Sequence, residues 1–374
     1  MTGQLLANRP PGNAGRHTIG LCFVWIAVAT AFTLGCADRK PVASKVDDDK
    51  EPPERLSSYG LFQGNGWSQT PAPGVVPYDV NTPLFSDYAH KLRFVRLPEG
   101  KSAQYSDSAP FEFPVGTILI KTFAYPVDER DPTSGMNLIE TRLIIHQAEG
   151  WKGLTYVWND EHSDAILRIA GADRDTHWID AKGRERQVKY LVPNTNQCLG
   201  CHENRKVMRP IGLTARNLNR LYDYASGREN QLEFWSRQGM LQGAPDPAKA
   251  PRLAVWNDPR TGDLEARARA WMESNCAHCH NPDGPARTSG LDLTSTQQDL
   301  FQRGFWKPPV AAGRGSGGRA YGIVPGRPDD SILVHRIESR EPGVMMPELA
   351  RRLVDEDGVA LVRAWIASLP KQDK

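Results

Sequence analysis

The sequence predicts an α+β chain, a β-rich N-terminal region followed by an all-α region, and three observations carry that reading. Runs rich in β-branched and aromatic residues, Thr117 to Phe123, Leu138 to His146, Leu154 to Trp158 and Ala165 to Ile169, alternate with polar and glycine-containing segments. Near the C-terminus, Leu361, Val362, Trp365, Ile366 and Leu369 recur at helical spacing. Between the two regions, Gly243-Ala244-Pro245-Asp246-Pro247 to Pro251 breaks both patterns.

The chain has 374 residues and a formal charge of +2, so no uncompensated basic stripe points to nucleic acid. Residues 1–35 read as a signal peptide: Arg9, Arg16 and His17 precede the uncharged stretch Thr18 to Gly35. It ends at Thr33-Leu34-Gly35-Cys36, which resembles a bacterial lipobox with Cys36 lipidated. Cleavage near Ala29-Thr30-Ala31 and an uncleaved anchor are the other two readings, and all three place the rest of the chain outside the cytoplasm. Residues 36–57, with Asp47-Asp48-Asp49-Lys50 and Pro52-Pro53, form a polar linker. The 339 residues after the leader exceed what one hydrophobic core usually serves. The expected division is therefore a β-rich domain with a helical tail over 58–242, a linker over 243–260 and a helical domain over 261–374.

Within the β-rich region, Trp178-Ile179 and Val188 to Val192 flank Asp180-Ala181-Lys182-Gly183 as a hairpin. The tail is expected to hold two helices, Thr214 to Tyr224 and Asn230 to Met240. In the second region, Leu264 to Ser274 forms a helix that runs into Cys276. Asp355 caps the last helix, with Glu356 and Asp357 in its first turn.

Two motifs carry the chemistry. Cys198-Leu199-Gly200-Cys201-His202 and Cys276-Ala277-His278-Cys279-His280 both read Cys-x-x-Cys-His, the attachment signature of haem c. Two thiols at this spacing reach both vinyl groups of one porphyrin, and the adjacent histidine ligates the iron from below. Two covalently bound haem c groups follow, on thioethers at Cys198, Cys201, Cys276 and Cys279, with His202 and His280 as axial ligands. A four-cysteine zinc site is the competing reading. Its pairs usually lie roughly 15–20 residues apart, whereas 74 residues separate Cys201 from Cys276. Of the 6 cysteines, only Cys22 and Cys36 remain for a disulfide, and both lie in the leader segment.

A helix entering the second motif, the late Gly343-Val344-Met345-Met346-Pro347 and a closing amphipathic helix together resemble a class I cytochrome c domain. That resemblance implies a distal methionine, Met346 rather than Met345 because the ligand methionine of that family usually precedes proline, with ordinary core filling as the plainer reading of either residue. The Gly313-Arg314-Gly315-Ser316-Gly317-Gly318 run lacks the flanking strand and helix of a nucleotide fingerprint, and reads as a loop near the haem edge.

Longer motifs extend the resemblance. They are Val76-Pro77-Tyr78-Asp79-Val80-Asn81-Thr82-Pro83-Leu84-Phe85-Ser86-Asp87-Tyr88, Phe113-Pro114-Val115-Gly116-Thr117, Tyr156-Val157-Trp158-Asn159-Asp160 and Val192 to Cys198. With Asn275 to His280 and Ala311 to Gly317, they are similar to a group of bacterial dihaem c-type cytochromes, often encoded beside a parallel β-helix repeat protein. The resemblance implies export, haem c and a redox protein partner, with that β-helix protein as the nearest one. The β-rich region also resembles the cytochrome P460 type of β domain, where a lysine is linked to the porphyrin. Lys121 is the nearest counterpart, against the plainer reading of a solvent-facing strand lysine.

For the first haem, the distal position has five protein candidates, Met208, His146, His162, His177 and Met240, and an open iron as the remaining choice. The basic run Arg205, Lys206, Arg209, Arg216 and Arg220 reads as a partner-docking face, as propionate ligands or as a solvated surface. The leading expectation is a periplasmic electron carrier, held at the outer membrane as a lipoprotein. The alternative is a haem enzyme, a peroxidase or an oxidase of small nitrogen compounds, with an open first iron and the second haem as electron gate. A ligand-binding sensor is the third reading.

Overall fold

The structure is a computed structural model that describes residues 51–371; the leader and Cys36 lie outside the described residues. Six strands form one antiparallel sheet: β1 (Val75–Tyr78), β2 (His90–Arg96), β3 (Ile118–Pro126), β4 (Met136–Gln147), β5 (Gly150–Trp158) and β6 (Ala165–Leu167). Each strand pairs with the next in sequence, so the sheet is a simple meander. The pairing slips by one residue between Phe123 and Ala124. The expected hairpin is β7 (Ala172–Ile179) and β8 (Glu185–Val192).

Strand side chains alternate between faces, and here both faces are covered. Ile118, Ile120, Leu143, Ile145, Leu154, Tyr156 and Trp158 fill one core with Leu56, Tyr59 and Leu61 from the segment ahead of the sheet. The opposite face carries two separate apolar patches. At one end Val95 and Leu119 pack under Leu213, Leu218, Leu232 and Trp235 of the tail. At the other, Phe123 and Ile139 pack under Trp178 and Tyr190 of the β7–β8 hairpin. Between the patches, the register sets Arg93, Lys121 and Arg142 side by side across β2, β3 and β4. Helix α1 (Thr195–His202), which bears the first motif, is capped at Asn194 by reciprocal bonds with Gln197 and contacts β5.

The tail departs from the expected pair of helices. Ala215–Leu218 is a single turn, followed by a hairpin of Leu221–Tyr224 and Gly227–Asn230 and then helix α2 (Gln231–Arg237). Asn219 closes that turn with its N–H still bonded to the Ala215 carbonyl, and its side-chain amide donates to the carbonyls of Pro247 and Ala250. Those bonds fasten part of the 243–260 segment against the tail, with Leu253 N donating to the Arg216 carbonyl.

The C-terminal region is helical. Asp263 caps α3 (Leu264–Met272), which widens into a π-type turn over Glu273–Ala277 as it enters the second motif. After α4 (Ile332–Glu338) comes α5 (Glu356–Ser368), whose Asp355 side chain accepts from Gly358 N, the expected cap. Helices α3 and α5 cross at Gly358. A Cβ there would come within 2.2 Å of Trp271 Nε1, so glycine is what lets Trp271 reach Asp355 Oδ2 at 2.8 Å. Among the described residues, no helix is long and apolar enough to cross a membrane.

One buried segment, residues 81–88, ties the regions together. The Asn81 amide donates to the carbonyls of Arg216 and Asn219. The Thr82 carbonyl accepts from Ser274 Oγ at 2.6 Å, and Phe85 N donates to Asn275 Oδ1 at 2.8 Å. Asp87 Oδ1 accepts from both Arg352 N and Leu353 N at 2.7 Å. Burial pushes the Asp87 carboxyl above the usual range, and those two donors oppose the rise. Replacing Asp87 by alanine orphans both N–H groups and should lower the unfolding free energy by about 2 kcal/mol or more. Asp87→Asn keeps an acceptor oxygen and should cost less. Equal urea midpoints for wild type and the alanine variant would contradict this account.

Candidate functional site

The two motifs, distant in sequence, meet in space. Ligand atoms of Cys201, His278 and Cys279 all lie within 4.8 Å of one another, and Cys279 Sγ donates to the Gly200 carbonyl at 3.6 Å. Around this contact, Arg205 Nε reaches Asp283 Oδ1 at 2.9 Å, and Arg205 N donates to the Asp283 carbonyl at 3.0 Å. Sequence reasoning had no signal for this, since the contact belongs to tertiary packing.

Each motif histidine has one ring nitrogen committed. His202 Nδ1 pairs with the Arg209 carbonyl at 2.8 Å. His280 Nδ1 pairs with Ser289 Oγ at 3.0 Å, and that hydroxyl in turn donates to the Ala286 carbonyl. A hydrogen bond at Nδ1 fixes the tautomer and presents an unprotonated Nε2 to a metal. Burial, reinforced by the Lys121 charge, lowers the His202 value to about 3; burial and Arg336 lower that of His280 to about 4. Both rings are therefore neutral, the ligating form. The third histidine of the pair of motifs differs: Nδ1 of His278 is buried without a hydrogen-bond partner.

The chain turns sharply after His202. A two-stranded hairpin, Glu203–Asn204 with Val207–Met208, is closed by Arg205 and Lys206, both with positive φ (50° and 66°). That is the turn that suits a tight hairpin, adopted here by two residues that resist it. The reversal brings Met208 against the motif, next to Gly153. A Cβ on Gly153 would fall 2.8 Å from Met208 Cε and 3.6 Å from Cys198 Sγ, so Met208 and Cys198 both pack against the bare face of this glycine on β5.

Of the five residues considered for the distal side of the first iron, Met208 is the one placed beside the motif. His146 pairs with the Phe113 carbonyl and stacks on Trp151 at 4.3 Å. His162 bonds Asn137 Oδ1, His177 is exposed, and Met240 packs under the tail. Of the basic run, Arg205 pairs with Asp283, Arg216 with Glu273 at 3.2 Å and Arg220 with Asp79 at 2.8 Å. Lys206 and Arg209 are left exposed.

Lys121 does not face solvent. It is half-buried, with Nζ 5.2 Å from the Phe123 ring centre. Arg93 is matched by Asp79 at 2.8 Å, and Arg142 by the fully buried Glu140, which also accepts from Tyr190. Lys121 has no carboxylate within ion-pair distance among the described residues, and burial, then Arg142 and Arg93, lowers its value to about 7. The alternation argument for a solvent-facing lysine fails because the second face of this sheet is covered as well.

In the C-terminal region the adjacent methionines line different spaces. Met345 borders a cleft of about 830 Å³ with Leu191, Leu349 and Arg351. Met346 lines a small void with Trp271, Asn275 and Asp355, beside the residue that precedes Cys276. The glycine run forms a short turn over Gly313–Ser316, where a Cβ on Gly315 would meet Arg336 at 3.3 Å.

These features suit covalent haem. Each site offers two thiols and a histidine with Nε2 available. Lys121, with no carboxylate at ion-pair distance among the described residues, lies near the first motif, where a haem propionate would supply one. Residues 276–348, from the second motif through both methionines, match the family model of Planctomycete cytochrome C. The C-terminal region is thus cytochrome c-like. No curated protein and no solved structure matches the chain.

The Lys121 environment gives a test in the haem-free chain. With a folded value near 7 against the ordinary 10.5, unfolding takes up a proton between those limits. Stability should therefore rise as pH is raised from about 7 to about 10.5. Lys121→Met should flatten part of that rise in urea titrations, leaving the share of Lys91, which burial also lowers. An unchanged rise in the variant would contradict the assignment.

Proposed function

We propose that this protein is an electron carrier with two covalently bound haem c groups, one held by Cys198, Cys201 and His202, the other by Cys276, Cys279, His280 and Met346. The cytochrome c-like match supports haem binding and electron transfer in the second half. The observation that carries the reading for both sites is the shared arrangement of the motif histidines, each with Nδ1 tied to a protein acceptor. When bound, each haem supplies a one-electron ferric–ferrous couple. The protein's part is to hold and tune it. His202 and His280 stay neutral and fixed in orientation, the thiols fix the porphyrin edge, and Lys121 offers a cation to a carboxylate at the first site. A thioether from Met346 would raise the potential of the second couple relative to bis-histidine ligation.

The leader pattern supports export to the periplasm and, through Cys36, an outer-membrane lipid anchor. There the carrier would exchange electrons with a redox protein, the β-helix repeat protein implied by the family resemblance being the first to try. Cys36→Ser should move the protein from the membrane fraction to the soluble one; retention in the membrane would contradict lipidation at Cys36.

The visible spectrum of the dithionite-reduced, matured protein tests the carrier reading. The carrier reading requires a protein ligand on both faces of each iron, so carbon monoxide should leave the spectrum unchanged. A shift of about half the absorbance would instead reveal one open iron and favour the enzyme reading. Met346→Ala should make the second haem high-spin and lower its potential, while Met345→Ala should do neither. The reverse outcome would transfer the ligand role to Met345.

A further inference from the structure

We infer that the contact between Cys201 and Cys279 is an electron-transfer junction, at which the two haem sites exchange electrons directly without an external shuttle. This rests on the two-haem reading above.

Three observations carry it. The first is the closeness of the sulfurs, which share a cluster no wider than 4.8 Å with His278. On the two-haem reading each of these sulfurs would be a point of porphyrin attachment, so the protein would hold the two attachment points side by side. The second is that the protein holds this contact by several means. Cys279 Sγ meets the Gly200 carbonyl, Arg205 grips Asp283 through both main chain and side chain, and Arg287 faces Glu203 at 3.7 Å. The exposed Arg205–Asp283 ion pair would be worth little alone. It gains force from the turn it secures, in which Arg205 and Lys206 both take positive φ. The third is the packing of the motif loops: a Cβ on Gly200 would lie 2.9 Å from Leu349 Cδ1, so the first motif lies directly against the segment that follows the methionines, and a bulky residue at 200 would displace Leu349.

With haem bound at both sites, the chemistry supplied would be a one-electron outer-sphere exchange in which no bond forms or breaks; the protein's part is to hold the two attachment points together. His278 lies in the cluster with Nδ1 buried and without a hydrogen-bond partner, so an imidazole ring stands between the two motifs.

The same donors, Cys201, His278 and Cys279, also make a zinc-type set, and the test separates the two uses. Soret circular dichroism of the full matured protein should show a bisignate couplet. That couplet should exceed the sum of the spectra of two single-haem variants, Cys198→Ala/Cys201→Ala and Cys276→Ala/Cys279→Ala. Gly200→Trp, which leaves all four thiols and both histidines in place, should keep both haems and lose half or more of the couplet. Should a single-haem variant fail to fold, electron paramagnetic resonance of the oxidised wild type serves instead, with magnetically coupled ferric signals expected.

Two haems with additive dichroism and uncoupled signals would overturn the junction while leaving the two-haem carrier intact. Fewer than two haems by mass, with zinc on the cluster, would overturn the carrier reading itself and the junction with it.

Discussion

The structure depends on the buried polar segment Asn81 to Asp87. A chain of more than 300 folded residues could bury its two apolar cores independently, and hydrophobic contact alone would leave their relation loose. Hydrogen bonds are directional, and buried polar groups without partners are costly. Asn81, Thr82, Phe85 and Asp87 each spend a polar group on the helical tail or the C-terminal region. Phe85 bonds Asn275, the residue immediately before Cys276. The position of the second motif is thereby fixed relative to the sheet on which the first one rests.

The middle of the covered sheet face is the second determinant. An ordinary antiparallel sheet would place apolar residues there, yet Arg93, Lys121 and Arg142 stand in register. The arginines are neutralised by Asp79 and by the Glu140–Tyr190 pair. What remains between the two apolar patches is Lys121, without a carboxylate at ion-pair distance among the described residues and near the helix that bears the first Cys-x-x-Cys-His.

Much of this was legible in the sequence where structure is local. The strands over 118–158, the Asp180–Gly183 hairpin turn, the Asp355 cap and the α3 helix leading into Cys276 all follow from alternation, turn chemistry and capping. The tail was misread at 219–230, where the chain turns into a short hairpin held beside a segment about 30 residues away through the Asn219 side chain. Lys121 was misplaced because alternation reports solvent exposure only when one face of a sheet is open. The meeting of Cys201 with Cys279 left no trace in either motif. It follows from tertiary contacts at Asn275, Asp283 and Leu349, none of which has a period or a spacing to read. The Arg205-Lys206 turn is equally invisible in the sequence, and it brings Met208 back beside Gly153 and Cys198.

The central claim, two haems on one rigidly connected chain, is tested most directly by intact mass and peptide mapping of the protein matured in a periplasm. The account predicts a mass increase equal to two haem groups, one on the peptide of Cys198 and Cys201 and one on that of Cys276 and Cys279. A single haem on the second peptide, with free thiols or bound zinc at the first, would contradict it.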